Sequence, residues 1–236
     1  MKVNEIVYYC LDAIKAFSDD SYVNEEHVLY LIGKYRVSLL QQYYNTKKPI
    51  SESNYQTINV TLNKVLPVYK SKVYLESEEC IPILMTITKP SVLLFNGFES
   101  EFIETVPFTR IKFVGHNKWK SNIIYASIDP NNKLHLISSN PQAYYLEQVK
   151  IKGIFEDFTK PYELLGVNDI MEEEFPMEFT LIPDLLIRVV KDVLGTAWRM
   201  ADTKNDAADE LANIATYIRQ NMKKKYNNIL EGEDEE

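Results

Sequence analysis

The period of the hydrophobic pattern changes twice along this chain of 236 residues, and that change restricts the possible folds. Apolar residues recur at steps of three and four near both ends, which is typical of amphipathic helices. From about Tyr55 to Phe158 they alternate with polar residues, as in Thr57–Leu62, which is typical of half-buried strands. We therefore predict an α+β fold, with a helical bundle from N- and C-terminal helices and a central antiparallel β-rich region.

Two helices are predicted in the first 50 residues. The first has one apolar stripe, formed by Val3, Ile6, Val7, Cys10, Leu11, Ile14 and Phe17. The second should begin after Asn24, a favourable N-cap residue, with Glu25 and Glu26 in its first turn, where carboxylates complement the helix dipole. Its stripe consists of Val28, Leu31, Ile32, Tyr35 and Leu39. A polar break at Ser18–Ser21 joins the two, so we expect an αα-hairpin.

The central region should contain several strands and no long helix. The predicted strands are Thr57–Leu62, Lys72–Leu75, Ile123–Ile128, Lys133–Ile137 and Gln148–Phe155. The third and fourth flank Asp129-Pro130-Asn131-Asn132, whose residues favour a tight turn, so they should form a hairpin. Pro82, Pro90 and Pro107 argue against a helix through this region.

Two further helices are predicted after an acidic loop at Gly166–Glu174. Pro183 suits the first turn of a helix whose apolar face is Leu185, Leu186, Val189, Val190, Val193, Leu194 and Ala197. The last helix should start near Asp202–Asp206, with a stripe of Leu211, Ile214, Ala215, Ile218 and Met222. Lys223, Lys224 and Lys225 fall in its last turns, where cations are favourable.

These patterns divide the chain into four parts. We predict a helical hairpin at 1–50, a β-rich region at 51–162, C-terminal helices completing the bundle at 163–230, and an acidic tail at 231–236.

The formal charge of −8 is concentrated at the end of the chain. The tail contributes five carboxylates, from Glu231, Glu233, Asp234, Glu235 and Glu236, and the rest of the chain is therefore at about −3. Without a basic excess to neutralise phosphates, direct nucleic-acid binding is not expected. The tail is either a solvated terminus or a peptide that orders against a basic surface on a partner.

Residue patterns that carry chemistry are missing from the sequence. His27, His116 and His135 have neither Cys nor His at zinc-ligand spacing, and no glycine-rich phosphate loop or nucleophile motif occurs. Cys10 and Cys80 do not form a disulfide framework, and no stretch has the length of a membrane span. We predict no catalytic residue, cofactor or metal, and no membrane partner.

One loop of the central region is a candidate interface. Gly115–Trp119 combines flexible, polar and aromatic residues just before the predicted hairpin. Trp119 either folds onto the sheet as part of a turn or, with His116, contacts a partner as an aromatic anchor.

Several stretches that keep their order along the chain resemble a virion structural protein of the crAss-like phages. They are Lys34–Arg36, Ser53–Thr57, Arg110–Trp119, Asn122–Ile128, Ser139–Gln142, Tyr145–Glu147 and Gly153–Asp157. The resemblance implies a ring protein or head-to-tail adaptor below the portal, built in the host cytoplasm and located in the virion neck. It also implies a ring of twelve copies, with the portal protein and other neck or tail rings as partners and genomic DNA passing through without specific binding.

The resemblance also implies that a terminal arm reaches the portal, and the candidate arm is Lys223–Glu236. Carboxylates facing the lumen would repel DNA phosphates and let the genome slide. The alternatives are another ring of the neck or tail hub, a small hydrolase or nucleotide-binding enzyme, and a DNA-binding packaging accessory. An enzyme predicts a pocket with convergent titratable groups, and an accessory predicts a basic stripe.

Overall fold

Two stretches that lie far apart in the sequence form one helical unit, and the residues between them form a second unit. The computed structural model describes residues 1–17, 23–46, 49–65, 72–85, 91–94, 102–114, 123–201, 216–220 and 222. The helical unit consists of Met1–Ser51 and Asp169–Glu236, and the β unit is Glu52–Asn168. The described residues include four α-helices, namely α1 (Val3–Phe17), α2 (Glu25–Asn45), α3 (Lys160–Leu164) and α4 (Ile182–Ala201). The predicted α+β class is confirmed.

Helices α1, α2 and α4 pack against one another through the apolar stripes predicted from the sequence. The buried residues include Val3, Ile6, Val7, Cys10, Ile14, Val28, Leu31, Ile32, Leu39, Leu185, Leu186, Val189, Val190, Val193 and Leu194. Asn24 is the N-cap of α2, and its side chain accepts a hydrogen bond from the backbone N–H of Glu26 at 3.4 Å. Helix α4 begins one residue before Pro183, as expected for a proline in the first turn.

The buried face of α2 includes a charged residue, which the pattern of apolar residues did not predict. Arg36 is fully buried, and its Nε donates a hydrogen bond to the backbone carbonyl of Pro176 at 2.9 Å. Tyr35, which was predicted in the stripe, is only half-buried. The Arg36 side chain therefore lies inside the helical unit, where it satisfies a buried carbonyl group.

The acidic loop after Gly166 is more than a solvated charge run. Its Glu173 carbonyl accepts a hydrogen bond from the backbone N–H of Val3 at 2.9 Å. The Glu172 carboxylate accepts hydrogen bonds from Lys2 Nζ at 2.7 Å and from Asn4 Nδ2 at 2.9 Å. These contacts join the loop to the start of α1, and the Glu173 carbonyl satisfies one of the N–H groups that a helix leaves unpaired in its first turn.

Part of the predicted last helix lies within the described residues. Residues 216–220 are helical, and Ile218 and Met222 are buried, as the stripe predicted. Leu211, Ile214 and Ala215 of the same stripe lie outside the described residues, as do Ser18–Ser21 and the side chains of Phe17 and Ala197.

The β unit is a closed barrel. Its described strands are β1 (Gln56–Val65), β2 (Val73–Ser77), β3 (Ser91–Leu94), β4 (Phe102–Thr105), β5 (Ile124–Ile128), β6 (Leu134–Ser138) and β7 (Gln148–Gly153). They are ordered β1-β2-β6-β5-β4-β3-β7, and β7 pairs back onto β1. Each pairing is antiparallel except that of β4 with β5, which is parallel and was not predicted.

Alternating side chains of these strands fill the barrel. The interior contains Ile58, Val60, Leu62, Leu75, Ile103, Ala126, Leu134, Leu136, Val149, Ile151 and Phe155. A second cluster covers the outer face of β5 and β6, where a 3₁₀ helix, Phe108–Phe113, packs Ile111 against Tyr125 and Ile137. Strand β6 is therefore buried on both faces.

The predicted hairpin is present, and Asp129 organises its turn. The Asp129 carboxylate accepts the backbone N–H groups of Asn131 at 2.9 Å and Lys133 at 2.7 Å. Asn132 adopts φ 60°, a left-handed conformation that Asn tolerates better than most residues. The register then places Ile128 opposite Leu134, which turns the apolar residues Leu134 and Leu136 into the barrel.

Candidate protein-interaction surface

The interface residues predicted from the sequence lie outside the described residues. These are His116, Trp119, Lys223, Lys224, Lys225, Glu231, Glu233, Asp234, Glu235 and Glu236. They remain predictions, but the structure does describe both flanks of the segment that holds His116 and Trp119.

Strand directions place both of those flanks at one end of the barrel. Strands β1, β3 and β6 run towards this end, and β2, β4, β5 and β7 start from it. The chain leaves β4 at the other end, and the Phe108–Phe113 helix returns it along the outer face to Val114. Ile123 then precedes β5 directly. Val114 and Ile123, the described residues on either side of the predicted loop, therefore lie at the same end of the barrel.

Two hydrogen bonds hold these flanks. Lys72 Nζ donates to the carbonyl of Val114 at 2.6 Å, and Ser138 Oγ donates to the carbonyl of Ile123 at 3.2 Å. Lys72 is only 8% exposed, and burial lowers the pKa of its ammonium group. A buried cation is costly unless it is satisfied, so this contact ties the start of β2 to the loop flank.

The same end carries a pair of exposed tyrosines that sequence reasoning did not single out. Tyr144 and Tyr145 close a 3₁₀ helix, Pro141–Tyr145, between β6 and β7. Tyr145 is 79% exposed and Tyr144 is 49% exposed, and their rings meet edge to face with centroids 5.8 Å apart. We call the end of the barrel that carries Tyr144 and Tyr145 the tyrosine end.

The tyrosine pair is held on a rigid base. Ala143 beneath it is buried, and Leu146 after it packs against the barrel core. Lys64 Nζ of β1 lies 4.1 Å from the centre of the Tyr144 ring, which is a favourable cation–π distance. Exposed aromatic rings that are already ordered lose little conformational entropy on binding, so they are suitable anchors for a protein partner.

Phe113 adds a third exposed aromatic ring near this end. It is 77% exposed and directly precedes Val114. A double tyrosine before a strand, and a phenylalanine between Lys112 and Val114, were visible in the sequence. The exposure of these rings could not be predicted from the sequence, because it depends on which face of the barrel the 3₁₀ helices cover.

A buried cluster of titratable groups lies on β2, β6 and the hairpin turn of the barrel. His135 Nδ1 is 2.7 Å from the Tyr74 hydroxyl, and His135 Nε2 is 3.4 Å from Asp129 Oδ2. Burial raises the pKa of Tyr74, and the carboxylates of Glu76 and Asp129 raise it further. Phe108 packs against the His135 ring, with 5.3 Å between the ring centroids, and the His135 side chain is buried.

The part of the chain that the structure describes contains neither a candidate metal site nor a candidate membrane-spanning helix. Within those residues, no three His, Cys, Asp or Glu side chains converge on a metal-sized site. Among the described helices, none is long and apolar enough to cross a membrane.

Two comparisons with known proteins match this chain to the same kind of protein. Residues 5–211 match the family described as Phage tail ring protein 2. The chain is also 36% identical over 222 residues to Ring protein 2 of Bacteroides phage crAss001, an alignment that covers 89% of this chain and 98% of that protein.

Proposed function

The chain belongs to the phage tail ring protein 2 family and is a structural ring protein of a crAss-like phage, and from this premise we propose that it connects the portal to the tail. In this proposal it forms a closed ring of twelve copies in the virion neck, assembled in the host cytoplasm. The portal protein and other neck or tail rings are its neighbours, and it has no enzymatic activity. Family membership over most of the chain is the observation that carries the proposal.

The tyrosine end is the surface that best supports a structural role. A ring subunit must offer surfaces that bind neighbours strongly while keeping its own fold rigid. Here the barrel is closed by pairing of β7 with β1. The exposed rings of Tyr144 and Tyr145 lie next to buried residues of the barrel. Aromatic side chains are enriched at the centres of protein interfaces. We propose that the tyrosine end contacts an adjoining virion protein.

The charge of the chain is compatible with the passage of DNA. With a formal charge of −8, the chain has no overall basic excess to neutralise DNA phosphates. Carboxylates along a lumen would repel the phosphate backbone and prevent the genome from adhering. We propose that DNA passes through the ring without being bound specifically.

Electron microscopy of intact virions tests this proposal directly. The expected result is a ring of twelve copies between portal and tail, with the tyrosine end against a neighbouring protein and carboxylates along the lumen. A position lower in the tail would favour the alternative, another neck or tail-hub ring. Absence of the chain from purified virions would contradict the structural role, and a lumen lined mainly by Lys and Arg would contradict passage without adhesion.

The acidic tail provides a second test, directed at the portal. Deletion of residues 231–236 should leave the melting temperature unchanged and weaken attachment to the portal. A full-length variant with Gln or Asn at Glu231, Glu233, Asp234, Glu235 and Glu236 separates charge from length. If both variants assemble like the parent protein, the tail has no part in portal binding.

A further inference from the structure

An acidic groove lies at the end of the barrel opposite the tyrosine end. It has a volume of about 560 Å³ and lies between the segment that follows β2 and the short helix α3 that follows β7. Both strands finish at this end, so the groove and the tyrosine end are different surfaces of one rigid unit.

The groove walls are held together by backbone hydrogen bonds. Glu156 N–H donates to the carbonyl of Ile83 at 2.9 Å, and Met85 N–H donates to the carbonyl of Ile154 at 2.8 Å. Ile81 N–H donates to the carbonyl of Asn132 in the hairpin turn at 2.7 Å. A groove whose walls are already fixed in this way costs little reorganisation when a ligand enters.

The chemistry of the groove is acidic at the rim and apolar within. Its lining includes Glu79, Glu156, Asp157 and Glu163, against a single cation, Lys160. Four carboxylates and one ammonium group leave a formal charge of −3 on these five residues. Lys160 Nζ is 2.8 Å from Glu163 Oε2, so that cation is already paired within the groove.

Apolar side chains provide the remaining surface. Leu164 packs against the barrel core from one wall, and Ile81 is buried in the other. Ile83 is 54% exposed beside them. A complementary ligand therefore brings several cations for the rim and apolar side chains for the interior.

We propose that this groove binds residues 223–230 of a second copy of the chain. That segment, KKKYNNIL, places Lys223, Lys224 and Lys225 directly before Tyr226 and the apolar pair Ile229 and Leu230. Three cations match the three uncompensated carboxylates, and the apolar residues match the groove interior. The proposal rests on the ring function proposed above, because a ring closes when one surface of each subunit binds a different surface of the next.

The order of charges along the chain fits this arrangement. The acidic tail, residues 231–236, follows residue 230 directly. Because Glu231 and the residues after it would be repelled by the groove carboxylates, the tail is left free for another partner. In this arrangement residues 223–230 contact the neighbouring subunit, and residues 231–236 remain available to contact the portal.

Cysteine cross-linking in the full-length chain tests the proposal, since Cys80 lines the groove and is exposed. The variant Asn228→Cys, which keeps all three lysines, should give a covalent dimer on denaturing gels after treatment with a short bismaleimide. Cys10 will not interfere, because it is buried and burial raises the pKa of its thiol to about 12. The dimer should disappear in Asn228→Cys/Cys80→Ser, and Lys191→Cys, at an exposed site on α4, should not give it.

Charge dependence distinguishes groove binding from chance collision. Raising the salt from about 0.1 M to about 1 M shortens the screening length from about 10 Å to about 3 Å, so the dimer yield should fall. Glu79→Gln/Glu156→Gln should lower the yield about fivefold, since each exposed ion pair contributes modestly.

Failure of this inference is distinguishable from failure of the proposed function. A cross-link only within one chain, or none at all, overturns the assignment to a second copy. If virions nevertheless contain the chain as a ring, the structural function stands and only the groove assignment is lost. Absence from virions, by contrast, would remove the ring function itself.

Discussion

The hydroxyl of Tyr74 on β2 lies 2.7 Å from Nδ1 of His135 on β6, and the opposite ring nitrogen faces Asp129 in the hairpin turn at 3.4 Å. This chain of contacts links two strands and a turn under the cover of Phe108. Burial alone would raise the pKa of Asp129, but the N–H of Lys133, the His135 ring and the N–H of Asn131 together hold it below its ordinary value.

The lowered pKa of Asp129 predicts acid sensitivity. A carboxylate whose pKa is depressed by folding contributes stability above its unfolded pKa of about 3.9, and that contribution is lost as the pH falls through the folded value. Asp129→Asn keeps the shape of the turn but loses the charge. It should lower the melting temperature at pH 7 by about 3 °C and flatten the decline in stability below about pH 4.

Thermal melts of both proteins between pH 7 and pH 2 measure this effect. Glu78→Gln, at an exposed position after β2, is the matched control and should follow the parent protein. Identical acid transitions for the parent protein and Asp129→Asn would show that this carboxylate does not stabilise the turn.

Ile218 should be a core position of the helical unit. It is 5% exposed, so Ile218→Asp would bury a charge and cost roughly 3 kcal/mol or more of unfolding free energy. Gln220→Asp, two residues further on at an exposed position, should change stability by about 0.5 kcal/mol or less. Urea denaturation followed by circular dichroism compares the two, and equal midpoints would mean that the buried face is assigned wrongly.

The two cysteines should differ in reactivity. Cys80 is exposed, whereas Cys10 is 1% exposed and its pKa is raised by burial to about 12, so little thiolate forms there. Ellman's reagent should titrate one thiol rapidly in the native protein and two in denaturant. Cys80→Ser should remove the rapid reaction, and two rapid thiols in the native parent protein would contradict the packing of α1.

Tyr145 should contribute to assembly and not to folding. Because it is 79% exposed, Tyr145→Ala should change stability by about 0.5 kcal/mol or less. If the tyrosine end is a protein interface, the same change should weaken binding by about 2 kcal/mol, or roughly 30-fold. Incorporation into particles during a complemented infection measures this.

Tyr30→Ala is the matched control for that experiment. Tyr30 lies on α2 of the helical unit and is 67% exposed, so its replacement by Ala removes a comparable ring from a different surface. Equal incorporation of Tyr145→Ala and Tyr30→Ala would argue that the tyrosine end has no special role.

Features set by neighbouring residues were predictable from the sequence. The stripes of α1, α2 and α4 follow from the spacing of apolar residues, because a helix brings residues three and four apart onto one face. The Asn24 cap and the Asp129 turn follow from side chains that bond to backbone groups two or four residues away.

Features set by distant residues were not predictable. Burial of Arg36 depends on the Pro176 carbonyl, 140 residues further along the chain. An alternating pattern marks a strand but does not identify its partner, so neither the parallel pairing of β4 with β5 nor closure through β7 and β1 could be derived. The hydrogen bond between Lys2 and Glu172 likewise joins residues 170 positions apart, so the local charge pattern could not predict it.

The sequence by itself determined the α+β class, the helical stripes, the hairpin turn and the resemblance to a phage ring protein, because each is carried by local order along the chain. Only the tertiary structure decided which surfaces are available to partners. The tyrosine end and the acidic groove each combine residues from separate strands and connections, and packing, which no local pattern encodes, sets their exposure.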